Sequence, residues 1–295
     1  MKKFVVLLFA LAFKAAELQA QSIGSGSLFG EILLDWTNSV DVETSYMYAP
    51  PSDISGGSGG ELATQQATAT VKLQSISPTQ RHALTAYLQY SHTDMDFDST
   101  AIALYNQTNR LTASAFYAYQ IDRRWSAFAT GALNFSAQSY CDWGNGMQGF
   151  IGAGAIYNFS RSLSIGAGAM AYSRMDRDWI GFPIAFIQWR INEKLTLKTF
   201  SGAALLWDVW GDERLVIDAT FEYKNNYSRL DNGSSCADSW YQFSVGATYS
   251  PFKRCHIGVQ VGGMFGREIE FRKTSLSDID ADAAPFVCIN ASMSF

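Results

Sequence analysis

The sequence predicts an all-β protein: a transmembrane antiparallel β-barrel of 12–14 strands, with short periplasmic turns and long extracellular loops. Three observations carry this. The first is composition. The 295 residues are 47% hydrophobic and 14% aromatic but only 17% charged, against roughly 25% charged in an ordinary soluble domain. Mean hydropathy is nonetheless −0.04, so the apolar residues are interleaved with Ser, Thr, Asn, Gln and Gly rather than with charge. The second is period-2 alternation from Val40 onward, with no stretch near the ~20 apolar residues of a membrane-spanning helix. The third is strand length. The alternating segments run ~10–14 residues, where soluble strands average ~5–6 and a tilted membrane strand needs ~9–11. A formal net charge of −5 argues against nucleic-acid binding, which wants a basic surface.

The N-terminal segment sets the compartment. Lys2 and Lys3 precede an apolar run from Phe4 to Phe13, and small residues follow to Ala20. This order predicts a secretory signal peptide over 1–20. Residues 21–39, with Ile32 and Trp36, are expected to form a periplasmic tail or a plug segment. The barrel is expected over 40–295, in the outer membrane of a Gram-negative bacterium. In hydrocarbon only helices and closed barrels satisfy every backbone donor and acceptor, so an exported chain without an apolar helix can span only as a barrel.

The strands follow in order. Val40, Val42, Tyr46 and Tyr48 share one face, with Asp41, Glu43 and Ser45 opposite. Thr64, Gln66, Thr68, Thr70, Lys72 and Gln74 form the polar face of the second segment. Leu111 to Ile121 and Trp125 to Phe135 repeat the alternation, and 147–159 and 162–174 carry small residues on both faces. Aromatics gather at the segment ends (Tyr46, Tyr90, Tyr117, Trp125, Tyr157, Trp189, Tyr249), as interfacial girdles require. Connections at 121–124, 158–162, 190–194 and 250–254 are short. Those at 50–62, 93–109, 137–147, 225–239 and 273–284 are long. Counting this alternation from both ends makes 190–194 and 210–214 both periplasmic. One strand cannot join two periplasmic turns, so a reversal is expected at 201–203. With that hairpin the count is 14; without it, 12. The last segment alternates from Val287 to Phe295, and a terminal strand closing on Phe295 is expected to be the signal that barrel-assembly machinery reads.

Several stretches together resemble one family. They are 182–190 (Phe-Pro-Ile-Ala-Phe-Ile-Gln-Trp-Arg), 192–195, 265–271 (Phe-Gly-Arg-Glu-Ile-Glu-Phe) and 284–287. They resemble an uncharacterised family of bacterial outer-membrane barrels, classed as a domain of unknown function. The resemblance implies fold and location and brings no activity with it.

Phase places Asp41, Glu43, Lys72, Asp218, Glu222, Lys224, His256, Glu268, Glu270 and Arg272 on the lumen side. Such charges either line a water-filled pore or pair across a closed one. Strict alternation points Arg267 outward, so it is expected above the upper interface or after a bulge. Asp94, Asp96 and Asp98, and likewise Asp278, Asp280 and Asp282, fall in expected extracellular loops. Alternate carboxylates of this kind are candidate oxygen ligands for a hard divalent cation, against the simpler reading of a solvated acidic loop. Cys141 and Cys236 fall in two long loops and form a candidate disulfide. His92 with Asp94 is the one arrangement with a hydrolase-like look; no Ser–His pairing of the lipid-acting kind is present. The leading functional reading is a passive pore for small solutes, not an enzyme. The alternatives are a structural or surface-interaction barrel with an occluded lumen, and a rim-located hydrolase. Expected partners are outer-membrane lipid, lipopolysaccharide and the assembly machinery; no cofactor is implied.

Overall fold

The computed structural model describes residues 38–295 apart from 56–58, 78, 80, 99–104, 139–142, 176, 201 and 275. The expected signal peptide and all but the last two residues of the expected tail or plug lie outside the described residues. The described chain is a run of antiparallel strands: β1 (Ser39–Ser55), β2 (Glu61–Ile76), β3 (His82–Phe97), β4 (Gln107–Gln120), β5 (Trp125–Ala137), β6 (Met147–Asn158), β7 (Leu163–Arg174), β8 (Arg177–Arg190), β9 (Leu195–Thr199), β10 (Gly202–Asp208), β11 (Leu215–Arg229), β12 (Ser235–Phe252), β13 (Cys255–Arg272), β14 (Ile279–Ala281) and β15 (Ala284–Ser294).

From β1 to β14 each strand pairs with the next in sequence, and β15 pairs with both β13 and β1. The sheet therefore closes on itself, which removes the free edges that a membrane cannot tolerate. The three-residue β14 only fills the upper junction between β13 and β1. The wall has 14 strands. The reversal expected at 201–203 is present: β9 ends at Thr199 and β10 begins at Gly202, with the Phe200 amide donating to the Gly202 carbonyl.

The outer face is an apolar band. Val42, Val71, Leu88, Leu133, Ile151, Val245, Val259 and Ile289 are all exposed. Trp125, Trp189, Trp207 and Tyr249 rim its lower edge, and Tyr46, Tyr90 and Trp179 rim its upper edge. In water such a surface would be an aggregation hazard; in lipid it is the solvated face. The periplasmic turns are short and locally capped. Asp122 accepts backbone N–H bonds from Arg124 and Trp125, and these hold its carboxyl below the usual range. Asp212 is lowered in the same way, chiefly by the Arg214 guanidinium.

The upper strands run farther than the alternation suggested. β3 continues to Phe97, β11 to Arg229, and β12 starts at Ser235. The long loop expected over 225–239 is therefore mostly strand, with a turn at 230–234. Two ladder shifts accompany this extension, on β1 between Ala49 and Ser52 and on β13 opposite Ser239 and Tyr241. The second is a bulge at Gly266, whose φ is +59°. It inverts the phase of everything above it.

The small-residue faces of β6 and β7 now have a reason. A Cβ on Gly154 would meet the Ala167 carbonyl oxygen at 2.3 Å and the Phe128 ring at 2.7 Å. One on Gly166 would meet the Phe186 ring at 2.0 Å. Glycine here lets aromatic rings from inside the barrel lie directly on the backbone.

Candidate functional site

The lumen has three regions. The periplasmic half carries charge. Asp41, Glu43, Lys72, Asp218, Glu222 and Lys224 lie on the inward phase of their strands: Asp218 is buried, Glu222 and Lys224 are half-buried, and Lys72 Nζ stands 3.9 Å from Asp41. Lys224 forms an ion pair with Glu222. Lys198 on β9, which alternation had not singled out, stands in register with the buried Gln188 of β8 and so shares its inward phase. His256 lies at the lower rim, with Nδ1 2.6 Å from Ser250 Oγ. Buried polar atoms without a protein partner also face this space, among them Asp218 Oδ2 and Gln188 Oε1. Such atoms are ordinarily satisfied by water.

The second region is an apolar layer against β4–β8. Phe116, Phe128, Phe150, Phe182, Ile184 and Phe186 are buried in one cluster with Tyr172 and Met170. Phe116 stacks on Phe128 at 5.4 Å, and Phe186 meets Phe128 and Phe200 edge-on. The glycines of β6 and β7 make room for these rings.

The third region is the extracellular mouth, which is filled. The upper end of β11 crosses toward β5: Arg229 pairs with Ala137 in parallel, Ser136 and Ser228 hydroxyls lie 2.8 Å apart, and Arg110 donates to Asn226. Beneath this crossing, Arg267 turns inward after the Gly266 bulge. Its Nε donates to Asp238 Oδ1 at 2.9 Å, its second terminal nitrogen to Oδ2 at 2.7 Å, and its first to Thr64 Oγ1 at 2.7 Å. Both ions of this bidentate pair are buried, at 5% and 4% side-chain exposure. The guanidinium lies 5.4 Å over the Trp240 ring. A cavity of about 10 Å³ beside the pair, edged by Thr64, Tyr105, Asn226 and Trp240, has room for about one water. Above it a second apolar cluster closes the axis, including Ile54, Leu62, Tyr105, Ile269, Phe271 and Ile279.

Several expected positions are corrected. Glu268, Glu270 and Arg272 do not line the lumen. The bulge turns them outward, with Glu268 exposed and Arg272 paired to Glu270. The candidate cation ligands do not converge either. Asp94 and Asp96 point outward from β3, Asp98 is exposed just beyond it, and Asp278 accepts the Phe271 amide instead. Alternate residues of a strand present their side chains in parallel, about 7 Å apart, rather than toward a point. Asp280 and Asp282 are likewise exposed. Among the described residues no group of three or more His, Cys, Asp or Glu is arranged to hold a metal ion. Cys236 is a fully buried free thiol within β12, not a loop residue, and Cys141 lies outside the described residues. His92 faces outward, its ring nitrogens engaged by Asn109 at 2.9 Å and Asp94 at 3.1 Å. Phe295 closes the ladder at the bottom, exchanging backbone hydrogen bonds with Val40.

Solved structures of known proteins are similar to this chain at low identity. The COG4313 outer membrane channel from Pseudomonas putida F1 superposes with a TM-score of 0.52 at 12% identity, over 92% of this chain and all of that one. The toluene transporter TodX of P. putida follows at 0.42 and 11%, over 88% and 90%. The KdgM porin gives 0.37 and 10%, over 86% and 99%. Among curated proteins none matches. The first of these supports the fold: an outer-membrane β-barrel. The family model for a domain of unknown function (DUF6268) matches residues 19–293, nearly the whole chain, and the chain belongs to that family.

Proposed function

We propose that this protein is an outer-membrane channel for small solutes whose axial route is closed at the extracellular mouth in the described conformation. The observation that carries the reading is the Arg267–Asp238 layer. A charged and partly unsatisfied lower lumen ends at a buried ion pair roofed by an apolar cluster. A barrel serving only as a membrane anchor has no need of an inward-facing charge set such as Asp41, Lys72, Lys198 and Asp218, since burying ions is costly. An open diffusion pore, conversely, has no need of a roof. Fourteen strands also exceed the eight whose interior side chains alone fill, so the upper closure is built by particular residues rather than imposed by girth.

The test is single-channel recording in planar bilayers. The wild-type barrel is expected to stay mostly closed with brief openings. Asp238→Asn weakens the pair that spans the mouth and is expected to raise open probability roughly tenfold or more, the response to a shift of about 1.4 kcal/mol in the closed state. Absence of current in both forms, across voltage and pH, would remove the channel reading and leave a structural barrel.

A further inference from the structure

The buried charge of the mouth is uneven. Among the described residues the buried charged ones are Asp218, in the periplasmic half, and Arg110, Asp238 and Arg267, in the layer beneath the β11 crossing. That layer therefore holds two guanidiniums and one carboxylate. Asp238 is engaged through both oxygens by Arg267, whose Nε and second terminal nitrogen form the side-on edge of the guanidinium. The same edge of Arg110 meets no carboxylate. Arg110 makes one hydrogen bond among the described residues, from its first terminal nitrogen to the Asn226 side-chain oxygen. Its Nε is buried without a partner, although the residue is only 9% exposed.

The neighbouring strands explain this. Register places Arg110 between Ser91 of β3 and Ser136 of β5, whose hydroxyls bring no charge. Ser91 accepts a bond from Thr68 at 3.3 Å, and Ser136 is tied to Ser228. Along β4 the inward neighbours of Arg110 are Thr108 and Thr112, both buried. Across the mouth, Asn226 stands in register with Asp238. The two guanidiniums thus hold adjacent side chains of β11 and β12, one an amide and the other a carboxylate. A contact serving stability alone would gain from a carboxylate at both positions, since charge-assisted hydrogen bonds are about twice as strong as neutral ones. Burying a cation with no ion paired to it is costly. The small cavity of the mouth lies at this junction, edged by Thr108, Asn226, Asp238 and Arg267 and by the Tyr105 and Trp240 rings.

We infer that Arg110 recognises small carboxylate anions, and that these are the solutes the mouth admits. A carboxylate fits the side-on edge of a guanidinium through two parallel hydrogen bonds, as Asp238 does on Arg267. The Tyr105 and Trp240 rings at the cavity offer apolar surface to the rest of such a molecule. Lys224, paired with Glu222, follows Asn226 on the inward phase of β11, about 7 Å further down. The acids of the outer rim, Asp94, Asp96 and Asp280 among them, are exposed, and salt water screens such charges over about 8–10 Å. A fixed charge acts most strongly on a passing ion where water is excluded, which is the Arg110 layer. The inference rests on the channel reading above and names its solute class.

The test adds a KCl gradient to the planar-bilayer recording. Openings of wild type, or of Asp238→Asn should wild type rarely open, are expected to reverse on the chloride side. Arg110→Gln, introduced into the same background, should lower the chloride-to-potassium permeability ratio about tenfold or more. Arg110→Lys keeps the charge and should keep the ratio, but it loses the fork. The benzoate concentration that halves the chloride current should therefore rise about tenfold in that variant. A second readout needs no current: benzoate should raise the urea-unfolding midpoint of the wild-type barrel in lipid vesicles and leave that of Arg110→Lys unmoved. Should Arg110→Gln fail to give the heat-modifiable band of a folded barrel, Arg110→Lys decides through benzoate. A cation-selective wild-type current overturns the inference, as does an unchanged ratio in folded Arg110→Gln. So does a midpoint that benzoate leaves where it was, or that chloride raises equally; these results leave the channel reading standing. Silence of wild type and Asp238→Asn in bilayers is the separate failure of the channel reading, and the midpoint then still decides whether Arg110 binds a carboxylate.

Discussion

Replacing Asp238 by alanine should destabilise the barrel far more than replacing both members of its pair. Arg267 is held by two nearly parallel hydrogen bonds to Asp238, by Thr64 and by the Trp240 face, and both ions are almost wholly removed from solvent. Asp238→Ala leaves a guanidinium in that layer with Thr64, the Met95 sulfur and an aromatic face as its remaining partners, and no paired counter-ion. Breaking a buried pair in this way typically costs about 3–5 kcal/mol. The double variant Arg267→Met with Asp238→Leu removes both desolvation penalties and fills similar volume. It should lie within about 1–2 kcal/mol of wild type, on either side, since the lost cation–π contact offsets part of the gain. The single and double variants should then differ by at least about 1 kcal/mol. The assay is urea unfolding of the barrel in lipid vesicles, read by tryptophan fluorescence and by the heat-modifiable gel shift. Equal losses for the single and double variants, or a loss below about 1 kcal/mol for Asp238→Ala, would refute the view that this pair anchors the mouth.

Three further outcomes follow from local geometry. Gly266→Val places a β-branched residue at φ +59° and should cost about 1–2 kcal/mol or more in the same unfolding assay. Gly154→Ala drives a methyl group against the Ala167 carbonyl and the Gly168 Cα, at 2.3 and 2.7 Å, where no side-chain rotation relieves it; a loss of about 1–3 kcal/mol or failure to give the folded band is expected. The Asp122 carboxylate is stabilised in the fold by the Arg124 and Trp125 amides, so its folded pKa lies below its unfolded one. Its contribution is therefore present above the unfolded pKa of ~3.9 and disappears as pH falls through the lower folded value. The difference in unfolding midpoint between wild type and Asp122→Ala should thus be constant near neutrality and vanish in acid; a difference that persists there refutes the assignment.

What the sequence made legible, and what it hid, divides at the upper girdle. Below it, strand phase is read without ambiguity because lipid stands outside and water inside: Val42, Val71 and Ile289 face out, and Asp41, Lys72 and Asp218 face in. Above it both environments invert. Water stands outside, and the interior is a packed core of Ile54, Ile269 and Phe271. The chain changes phase at that level, by the shift after Ala49 on β1 and by the Gly266 bulge on β13. On β13 the apolar residues other than Met264 keep to odd positions, Val259 and Val261 toward lipid and Ile269 and Phe271 toward the core. Pattern alone therefore shows no break, and Glu268, Glu270 and Arg272 read as inward. The visible trace was a glycine followed by a charge on the apolar phase, Gly266 and Arg267. The polar upper halves of β3, β11 and β12 read as loops for the same reason: outside the bilayer a strand no longer needs an apolar face.

The short hairpin was legible for a different reason. Turn parity required a reversal inside a segment too short for two full strands. Pro183 carries the same information locally. In a strand paired on both sides a proline forfeits one ladder bond; in β8 its nitrogen lies on the side where the hairpin stops short. Pro183→Val restores an N–H above the last described β8–β9 pairing, Ile187 with Thr199, so it should lower stability by about 1–3 kcal/mol although valine is the better strand former. If instead it stabilises the barrel, that N–H has an acceptor and the reasoning fails.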